Sequence, residues 1–277
     1  MENLPALWIG HFPAPDRDSH KYSRGHTIIP GGEEMTGAAR LAAMAALRIG
    51  SGLVSVLCSA GSFPIYAGAL TSVMVRRIGA DGIRPWLADD RVTAAVFGPG
   101  AGAGESTRER VIEILAARKP VVLDADALTS FADDPDALLT AIQNPAILTP
   151  HSGEFTHLFG YYSESAKREA TQDAAKLAAA VVVHKGAETV IASPDGRVAI
   201  NRNAPPWLAT AGSGDVLAGL CGGLLAQGMP AFEAACAAVW IHGDAASRFG
   251  GIGLIAEDLP ELVPEVLCEL LRHPEEE

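Results

Sequence analysis

The chain has 277 residues, a length that fits one large α/β domain or two small ones, and its 48% hydrophobic residues allow a sizeable core. Its formal net charge of −12 argues against binding to nucleic acid, because phosphate backbones need a basic surface. Net charge does not argue against small anionic ligands, since exposed backbone N–H groups bind them locally.

Strands and helices are predicted to alternate along most of the chain. Residues 1–26 are rich in Pro, His and Asp and predict an irregular segment, of which 1–19 form an N-terminal extension of a single domain spanning 1–277. Short aliphatic runs then predict strands that are buried on both faces. These strands are Leu53–Cys58, Ala94–Phe97, Val121–Leu123, Ala146–Leu148 and Val181–Val183. Helices are predicted over 36–49, with Thr36 as the N-cap, and over 105–117, 152–159 and 164–180.

This alternation predicts an α/β fold, a mostly parallel central sheet with helices on both faces. Near residue 195, two short apolar runs flank Pro-Asp-Gly, which predicts a hairpin because Asp195-Gly196 supplies the turn. Residues 213–271 are predicted to be almost wholly helical, and their apolar stretches 216–226 and 234–241 suit a core or an interface equally well.

The cysteines and the N-terminus predict a cytoplasmic protein without a membrane segment. Cys58, Cys221, Cys236 and Cys268 form no C-x-x-C pair, which favours reduced thiols over structural zinc. The first residues show no signal-peptide pattern, and the longest apolar run, Val216 to Ala226, is about half of a membrane span.

A glycine-rich loop follows the predicted strand at 94–97. Gly98, Gly100, Gly102 and Gly104 alternate with other residues, but no Lys-Ser/Thr pair follows, so this is not a Walker-type P-loop. The spacing loosely matches a dinucleotide fingerprint, with Asp124 near the ribose-binding position. An NAD-dependent oxidoreductase therefore stays open as an alternative.

Two polar loops follow the next strands. His151 would donate to a substrate or phosphate oxygen and Glu154 would hold Mg²⁺ through water; alternatively, Ser152 caps the next helix and Glu154 complements its dipole. Lys185, beside Gly186, would meet a nucleotide phosphate as a point charge; alternatively, it is a solvated lysine in a turn.

The strongest signal is the loop Gly212-Ser213-Gly214-Asp215 before an apolar helix. The glycines expose consecutive N–H groups, and the helix start adds more, so the loop predicts a hole for a transferring phosphoryl group. A carboxylate would repel a merely bound phosphate. Asp215 is therefore predicted to be the general base that takes a proton from an attacking hydroxyl. The alternative is that Asp215 only favours the helix N-terminus.

Read together, these loops resemble the ADP/ATP-dependent NAD(P)H-hydrate dehydratase family, a branch of the ribokinase-like fold. The resemblance runs from about residue 20 to 262, and the combination of its segments is more specific than the Gly-Ser-Gly-Asp loop alone. The matching segments are 20–26, Gly31-Gly32, 35–43, 98–100, 123–128, 149–155, 185–189 and 208–219.

The resemblance implies a repair reaction in which the S-form of hydrated NADH or NADPH is dehydrated. The family uses ADP, giving AMP and phosphate, or ATP, with Mg²⁺ on the nucleotide phosphates. It implies a nucleotide site at Lys185, Gly186, Ala187, Glu188, Thr189 and Gly214. It implies a hydrate site at Ala38, Ala39, Gly100, Gly102 and His151, with Asp215 touching both ligands. It also implies a homo-oligomer, often a tetramer, and a functional link to an NAD(P)H-hydrate epimerase.

One segment departs from the family pattern. The run before the anion loop is Asn201-Arg-Asn-Ala-Pro205-Pro-Trp207-Leu, where the family carries an Asn at the place of Pro205 and a small Gly at that of Trp207. A ribokinase-like kinase of a vitamin precursor or sugar hydroxyl is the main alternative, and it would release a stable phosphorylated product. A nucleotide-sensing protein without turnover is the third reading.

Overall fold

The computed structural model describes residues 1–272. Within them, one sheet has the strand order β3-β2-β1-β4-β5-β6-β7-β8-β9. The strands from β3 to β7 run parallel, while β8 and β9 are added antiparallel at one edge. The strands are β1 His26–Pro30, β2 Leu53–Cys58, β3 Met74–Arg77, β4 Ala94–Phe97, β5 Val121–Leu123, β6 Ala146–Leu148, β7 Val181–His184, β8 Thr189–Ala192 and β9 Val198–Asn201.

Helices cover both faces of the sheet. Side chains of each strand alternate between two cores, because successive residues point to opposite faces. One core lies under α1, α2, α9, α10 and α11, and the other lies under the remaining helices. The helices are α1 Thr36–Arg48, α2 Phe63–Ala69, α3 Arg84–Leu87, α4 Glu105–Ala116, α5 Asp126–Thr129, α6 Pro135–Ala141, α7 Ser152–Phe159, α8 Lys167–Ala178, α9 Ser213–Ala226, α10 Ala231–Phe249 and α11 Asp258–Leu270.

The predicted fold class and strands are confirmed. The hairpin forms as expected, with β8 and β9 joined through the Asp195-Gly196 turn. The prediction that Thr36 caps its helix was wrong: Thr36 is the first helical residue and Met35 is the N-cap, without a side-chain hydrogen bond. The sequence interpretation also missed β1 and β3. The first begins with two polar residues and ends in Pro30, and the second carries two arginines at a sheet edge.

The N-terminal segment is mostly irregular, as its composition predicted, with two short 3-10 turns and a β-bridge from Glu2 to Ile200 of β9. Trp8 is fully buried between other aromatic side chains, including Trp240 of α10. Asn3 donates to the side chain of Asn201 at 2.9 Å and to the carbonyl of Cys236 at 2.8 Å. The segment therefore joins β9 to α10.

Helices α1 and α9 lie unusually close together. A Cβ on Gly219 would overlap the Ala42 carbonyl oxygen, and one on Gly223 would lie 2.7 Å from the Ala46 carbonyl oxygen. Backbone thus rests on backbone, which only glycine permits at these positions. The apolar stretches 216–226 and 234–241 are almost entirely buried inside this chain, so they serve its core.

No helix of residues 1–272 combines the length and the apolar character needed to span a bilayer.

Candidate active site

The predicted loops meet at one edge of the sheet, because the carboxyl ends of parallel strands point the same way. The loop after β4, Asp124 after β5, His151 after β6 and Lys185 after β7 lie side by side along this edge. Helix α9 approaches the same edge with its first turn, which carries Asp215.

The first turn of α9 presents free backbone donors. Gly212 is the N-cap with φ of 87°, a conformation that favours glycine. Within the described residues, the N–H groups of Gly212, Gly214 and Asp215 donate no hydrogen bond, whereas Ser213 N–H donates to the Thr210 carbonyl at 3.3 Å. Helix N-termini with free N–H groups bind anions. Of the four predicted donors, three are thus available.

The Asp215 carboxylate is half-buried and poised to change protonation near neutral pH. Burial raises its pKa to about 6, the nearby Asp124 carboxylate adds to that rise, and the Lys185 ammonium opposes it. Such a group is a competent general base, because it is largely ionised at pH 7 yet still able to hold a proton. Its Oδ2 lies 3.9 Å from where a Gly212 Cβ would stand, so the carboxylate faces its own glycine loop.

Lys185 connects the anion loop to the sheet. Its Nζ donates to Asp124 Oδ1 at 2.7 Å, and it would lie 3.4 Å from a Cβ on Gly214. Burial would lower the pKa of Lys185, but the Asp124 and Glu154 carboxylates outweigh it and raise that pKa above its ordinary value. The ammonium is therefore charged and adjacent to the free N–H groups. It is not the solvated turn lysine of the alternative interpretation.

His151 and Glu154 cap helix α7 together. The Gly153 and Glu154 N–H groups donate to His151 Nδ1, and the His151 N–H donates to Glu154 Oε2 at 2.8 Å. The cap is therefore His151 and not Ser152, contrary to the alternative interpretation. The His151 ring is 60% exposed, and in the neutral ring the proton must sit on Nε2, because Nδ1 accepts. The buried Glu154 has a raised pKa, mainly from burial.

The predicted nucleotide residues form the turn between β7 and β8. Within residues 1–272, the N–H groups of Gly186, Ala187 and Glu188 donate no hydrogen bond. Thr189 is buried and its hydroxyl donates to the Gly186 carbonyl at 3.3 Å, while Glu188 forms an ion pair with Arg202 at 2.6 Å. The turn thus adds three more backbone donors beside Lys185.

Of the predicted hydrate residues, Ala38 and Gly100 meet where the β1–α1 and β4–α4 loops approach each other, whereas His151 lies apart from them, at the start of α7. A Cβ on Gly100 would stand 2.5 Å from the Met35 carbonyl oxygen and 3.1 Å from the Ala38 Cβ. Gly102 is exposed with open space around it, and its N–H donates to Asp126 Oδ2 at 2.8 Å. Ala39, in contrast, is fully buried in the core, so Ala38 is the alanine that lies at the cleft.

The structure argues against the oxidoreductase alternative. The order β3-β2-β1-β4-β5-β6 does occur in dinucleotide-binding folds. However, Asp124 is only 1% exposed on its side chain and is engaged by Lys185, so it is not available to a ribose hydroxyl.

A cavity of about 280 Å³ extends the cleft beyond the glycine loop. It is lined by residues of five segments, among them Gly31, Gly32, Ser59, Ala101, Thr107 and Arg110. A larger groove of about 860 Å³ lies between α3, α4 and α6. It contains none of the predicted site residues, so its size does not make it the active site.

The cleft offers carboxylate oxygens but no metal cage. Carboxylate oxygens are hard ligands that Mg²⁺ prefers, but Asp124 is buried and paired with Lys185, which leaves Glu154 and Asp215 as the carboxylates of the cleft. Among residues 1–272, no three His, Cys, Asp or Glu side chains are grouped to hold a metal ion. The residues therefore fit a Mg²⁺ held mainly by phosphate oxygens and water, which is how this ion usually binds beside nucleotides.

The departure at Pro205 and Trp207 serves packing. The Trp207 indole N–H donates to the Ala246 carbonyl of α10 at 2.9 Å, and Asn203 donates to the Trp240 carbonyl at 2.8 Å. The segment before the anion loop is thereby fixed to α10.

Three polar residues near the site were missed from the sequence. Lys167 lies under the 185–188 turn, Asp126 holds the Gly102 N–H, and His184 is fully buried between Tyr162 and Thr171. Burial lowers the pKa of His184 to about 3, so its ring is neutral. His184 and Asp126 could have been suspected only from their position at or just after the end of a strand. Nothing in the sequence marks Lys167, because it lies in an ordinary polar helix.

Comparison with known proteins gives concordant matches. The family model described as NAD(P)H-hydrate dehydratase matches residues 26–263. The ADP-dependent (S)-NAD(P)H-hydrate dehydratase of Neisseria meningitidis is 40% identical over 87% of this chain and 83% of its own length. The bifunctional NAD(P)H-hydrate repair enzyme Nnr of Salinibacter ruber is 39% identical over 97% of this chain, which spans about half (53%) of that relative.

Solved structures give the same result. The ADP/ATP-dependent NAD(P)H-hydrate dehydratase of Bacillus subtilis, co-crystallised with ATP and Mg²⁺, matches with a TM-score of 0.83 at 29% identity, covering 97% of this chain and 98% of that one. A ribokinase-like superfamily protein of Enterococcus faecalis matches with a TM-score of 0.82 at 22% identity, covering 93% and 92%. The fold is therefore ribokinase-like, as the sequence resemblance implied.

Proposed function

This chain belongs to the NAD(P)H-hydrate dehydratase family, and on that premise we propose that it dehydrates the S-form of hydrated NADH or NADPH at the expense of ADP. The observation that carries the proposal is the position of Asp215. Its carboxylate, with a pKa of about 6, lies beside three free N–H groups and next to the Lys185 ammonium. This arrangement suits proton removal from a hydroxyl that attacks a phosphoryl group.

Two ligands would flank Asp215. The nucleotide would lie along the 185–188 turn, whose three free N–H groups and Lys185 meet its phosphates. The hydrate would lie on the side of Ala38, Gly100 and Gly102. Parallel strands are about 4.8 Å apart, so the edge from β5 to β2 spans roughly 14 Å, room for a ligand with two nucleotide halves.

The reaction would proceed in two steps. Asp215 takes the proton from the hydroxyl at C6, and the hydroxyl oxygen attacks the terminal phosphorus of ADP, which releases AMP. The N–H groups of Gly212, Gly214 and Asp215 stabilise the charge on the phosphoryl group in flight. The ring nitrogen then expels phosphate from C6 as a proton leaves C5, which restores the reduced nicotinamide. Hydroxide leaves poorly and phosphate leaves well, which explains why a kinase-like site serves a dehydration.

Mg²⁺ is proposed as the accompanying cation, with Glu154 contacting it through water. Bound to the nucleotide phosphates, Mg²⁺ would neutralise the charge that develops on them. His151, with its exposed Nε2–H, would donate to a substrate or phosphate oxygen near Glu154.

A direct assay tests the function. Hydrated NADH is mixed with the protein, Mg²⁺ and either ADP or ATP, and recovery of the reduced-nicotinamide absorbance is followed. With ADP we expect the absorbance to recover and AMP and phosphate to form in equal amounts. Without nucleotide we expect no recovery of the absorbance. A lack of recovery with both nucleotides would refute the function. A stable phosphorylated product in place of NADH would favour the ribokinase-like kinase.

Three further properties are proposed with this function. The four cysteines are all free, which suits a reducing cytoplasm. A functional link to an NAD(P)H-hydrate epimerase is supported by relatives described as bifunctional repair enzymes. Assembly into a homo-oligomer, a tetramer in the family pattern, would use surfaces other than α9 and the buried side of α10, and light scattering after size exclusion would measure it.

A further inference from the structure

Lys167, in the first turn of α8, is a buried lysine that forms no ion pair with a carboxylate of residues 1–272. The whole residue is 5% exposed. Its Nζ donates to the Glu188 carbonyl at 2.7 Å and reaches the Lys185 carbonyl at 3.5 Å. Burying an ammonium costs free energy unless its N–H groups are satisfied, so these two carbonyls stabilise it there. Burial lowers the pKa of Lys167, and the charges of Glu164 and Glu188 oppose that fall. Both carbonyls belong to the turn between β7 and β8.

The lysine determines which way the turn faces. Because the carbonyls of Lys185 and Glu188 point inward to the ammonium, the residues between them are free to expose their N–H groups to the cleft. Within residues 1–272, the N–H groups of Gly186, Ala187 and Glu188 indeed donate no hydrogen bond. A row of backbone N–H groups of this kind forms an anion-binding concavity.

Gly186 shows how tight this arrangement is. A Cβ on Gly186 would stand 2.6 Å from Lys167 Nζ and 3.3 Å from the Glu188 carbonyl oxygen. Any side chain there would push the ammonium away from the carbonyls. The glycine at this position and the lysine 19 residues earlier in the chain are thus two parts of one contact.

We infer that Lys167 is a positioning residue for the nucleotide: it holds the 185–188 turn with its N–H groups outward, without touching the ligand itself. This inference rests on the proposed function only in taking the turn as the nucleotide site. It adds a residue that lies outside every motif of the chain. It also predicts an effect on nucleotide affinity and not on the chemical step, because Asp215 and its glycine loop are on another element.

The test measures nucleotide binding directly by calorimetry with ADP and with ATP, in the presence of Mg²⁺, and separately measures dehydration kinetics. For Lys167→Met we expect the Kd for the nucleotide to rise about tenfold to hundredfold, the range for losing a charged hydrogen bond. The kcat at saturating nucleotide and the KM for the hydrate should stay within about threefold. Lys167→Arg should restore part of the affinity, because it keeps the charge and the donors.

The matched control is Lys176→Met, on the same helix but with a side chain that is 52% exposed and paired with Asp173. It removes a lysine of α8 without touching the turn, so its nucleotide affinity should equal that of the unmodified protein. If Lys167→Met does not fold, Gly186→Ala tests the same contact with the lysine retained, and it should weaken binding in the same range. In the double variant the two effects should not add, because the ammonium that the alanine displaces is already absent.

The outcomes separate the two proposals. No ADP or ATP binding by the unmodified protein would overturn the proposed function. Normal nucleotide binding by folded Lys167→Met, or additive effects in the double variant, would overturn the role of Lys167 alone. A fall in kcat with unchanged nucleotide affinity would also overturn it, because it would place the lysine in the chemical step.

Discussion

Two stretches of α9 are both rich in glycine, but they differ in what surrounds the missing side chains. At the start of the helix, the nearest atoms around Gly214 are the Lys185 ammonium and an Asp124 carboxylate oxygen, while Gly212 packs against Leu41 and Ala256. The N–H groups of both glycines donate no hydrogen bond within residues 1–272. In the body, the space around Gly219 and Gly223 is filled by α1, through the Ala42 and Ala46 backbone and the Ile49 side chain. The same residue type thus exposes backbone donors at one end and permits close helix packing at the other.

Substitutions at the two places should therefore have different effects. Changes in the first turn should impair catalysis while the fold survives, and changes in the body should impair the fold. The following variants test that division, from the largest expected effect to the smallest.

Asp215→Asn should reduce kcat by about 10²- to 10⁴-fold, the usual loss when a general base is removed. The pKa of this carboxyl is raised from 3.8 to about 6 in the folded protein. Between these two pH values the folded state holds a proton on Asp215 that the unfolded state has lost. The free energy of unfolding therefore falls as pH rises from about 4 to about 6. The uncharged amide should therefore raise Tm at neutral pH. Steady-state kinetics and a thermal melt on the same sample check both. Near-normal turnover would refute the role of Asp215.

Gly219→Ala should destabilise the fold by about 1–3 kcal/mol, because the added methyl meets the Ala42 backbone, which cannot rotate away. Alanine is otherwise the better helix former, so a loss of stability in this variant can be attributed to the contact with α1. Gly37→Ala is the control: it lies in α1 with open space around its Cβ, and it should stabilise by about 0.5–1 kcal/mol. Urea unfolding of the two variants would contradict the packing argument if both were stabilised.

The pH dependence of kcat/KM should follow the ionisation of the Asp215 carboxylate. Since Asp215 acts as a base, activity should fall about tenfold per pH unit below its pKa of about 6 and level off above it. Replacing Lys185 with Met removes the charge that opposes the rise, so the acid limb should move to higher pH. If the activity of the unmodified protein fell only below about pH 4, burial would not be raising the pKa of Asp215.

Ala125→Gly is the reverse case, a position where the backbone favours glycine and the chain carries alanine. Ala125 has φ of 47° and ψ of −117° between Asp124 and Asp126. Strain of this kind costs about 1–3 kcal/mol, so the glycine variant should be as stable as the unmodified protein or more stable by about 1 kcal/mol. Chemical denaturation measures this. A clear loss of stability would show that the conformation is not strained.

Much of the fold could be predicted because its signals are local. The strands that were found are runs of buried aliphatic residues, and the hairpin has a two-residue turn with a specific backbone requirement. Strands β1 and β3 were missed because β1 begins with His and Thr and ends in proline, and β3 has two arginines among its four residues. Neither is a continuous aliphatic run of the kind that marks a strand buried on both faces.

The site divides in the same way. The convergence of Asp215, His151 and Lys185 on one edge of the sheet could be predicted because each follows a strand or starts a helix near glycine, while their roles stay predictions. The Asp124–Lys185 ion pair and the contact from Lys167 to the 185–188 turn join residues whose neighbours in sequence carry no sign of the partner. Only the order of strands in the sheet brings these partners together.

The backbone contact between α1 and α9 has a further consequence for how this site could change during evolution. Ala38 and Asp215 stand on two helices that cannot slide past each other, so in the proposed function the separation between the hydrate and the base would be set by the core. The turn at 185–188 lies on a different part of the sheet, where Lys167, Thr189 and Arg202 contact it. On the same proposal, preference between two phosphoryl donors would change through substitutions on that side alone, while the chemistry at the nicotinamide would stay constant.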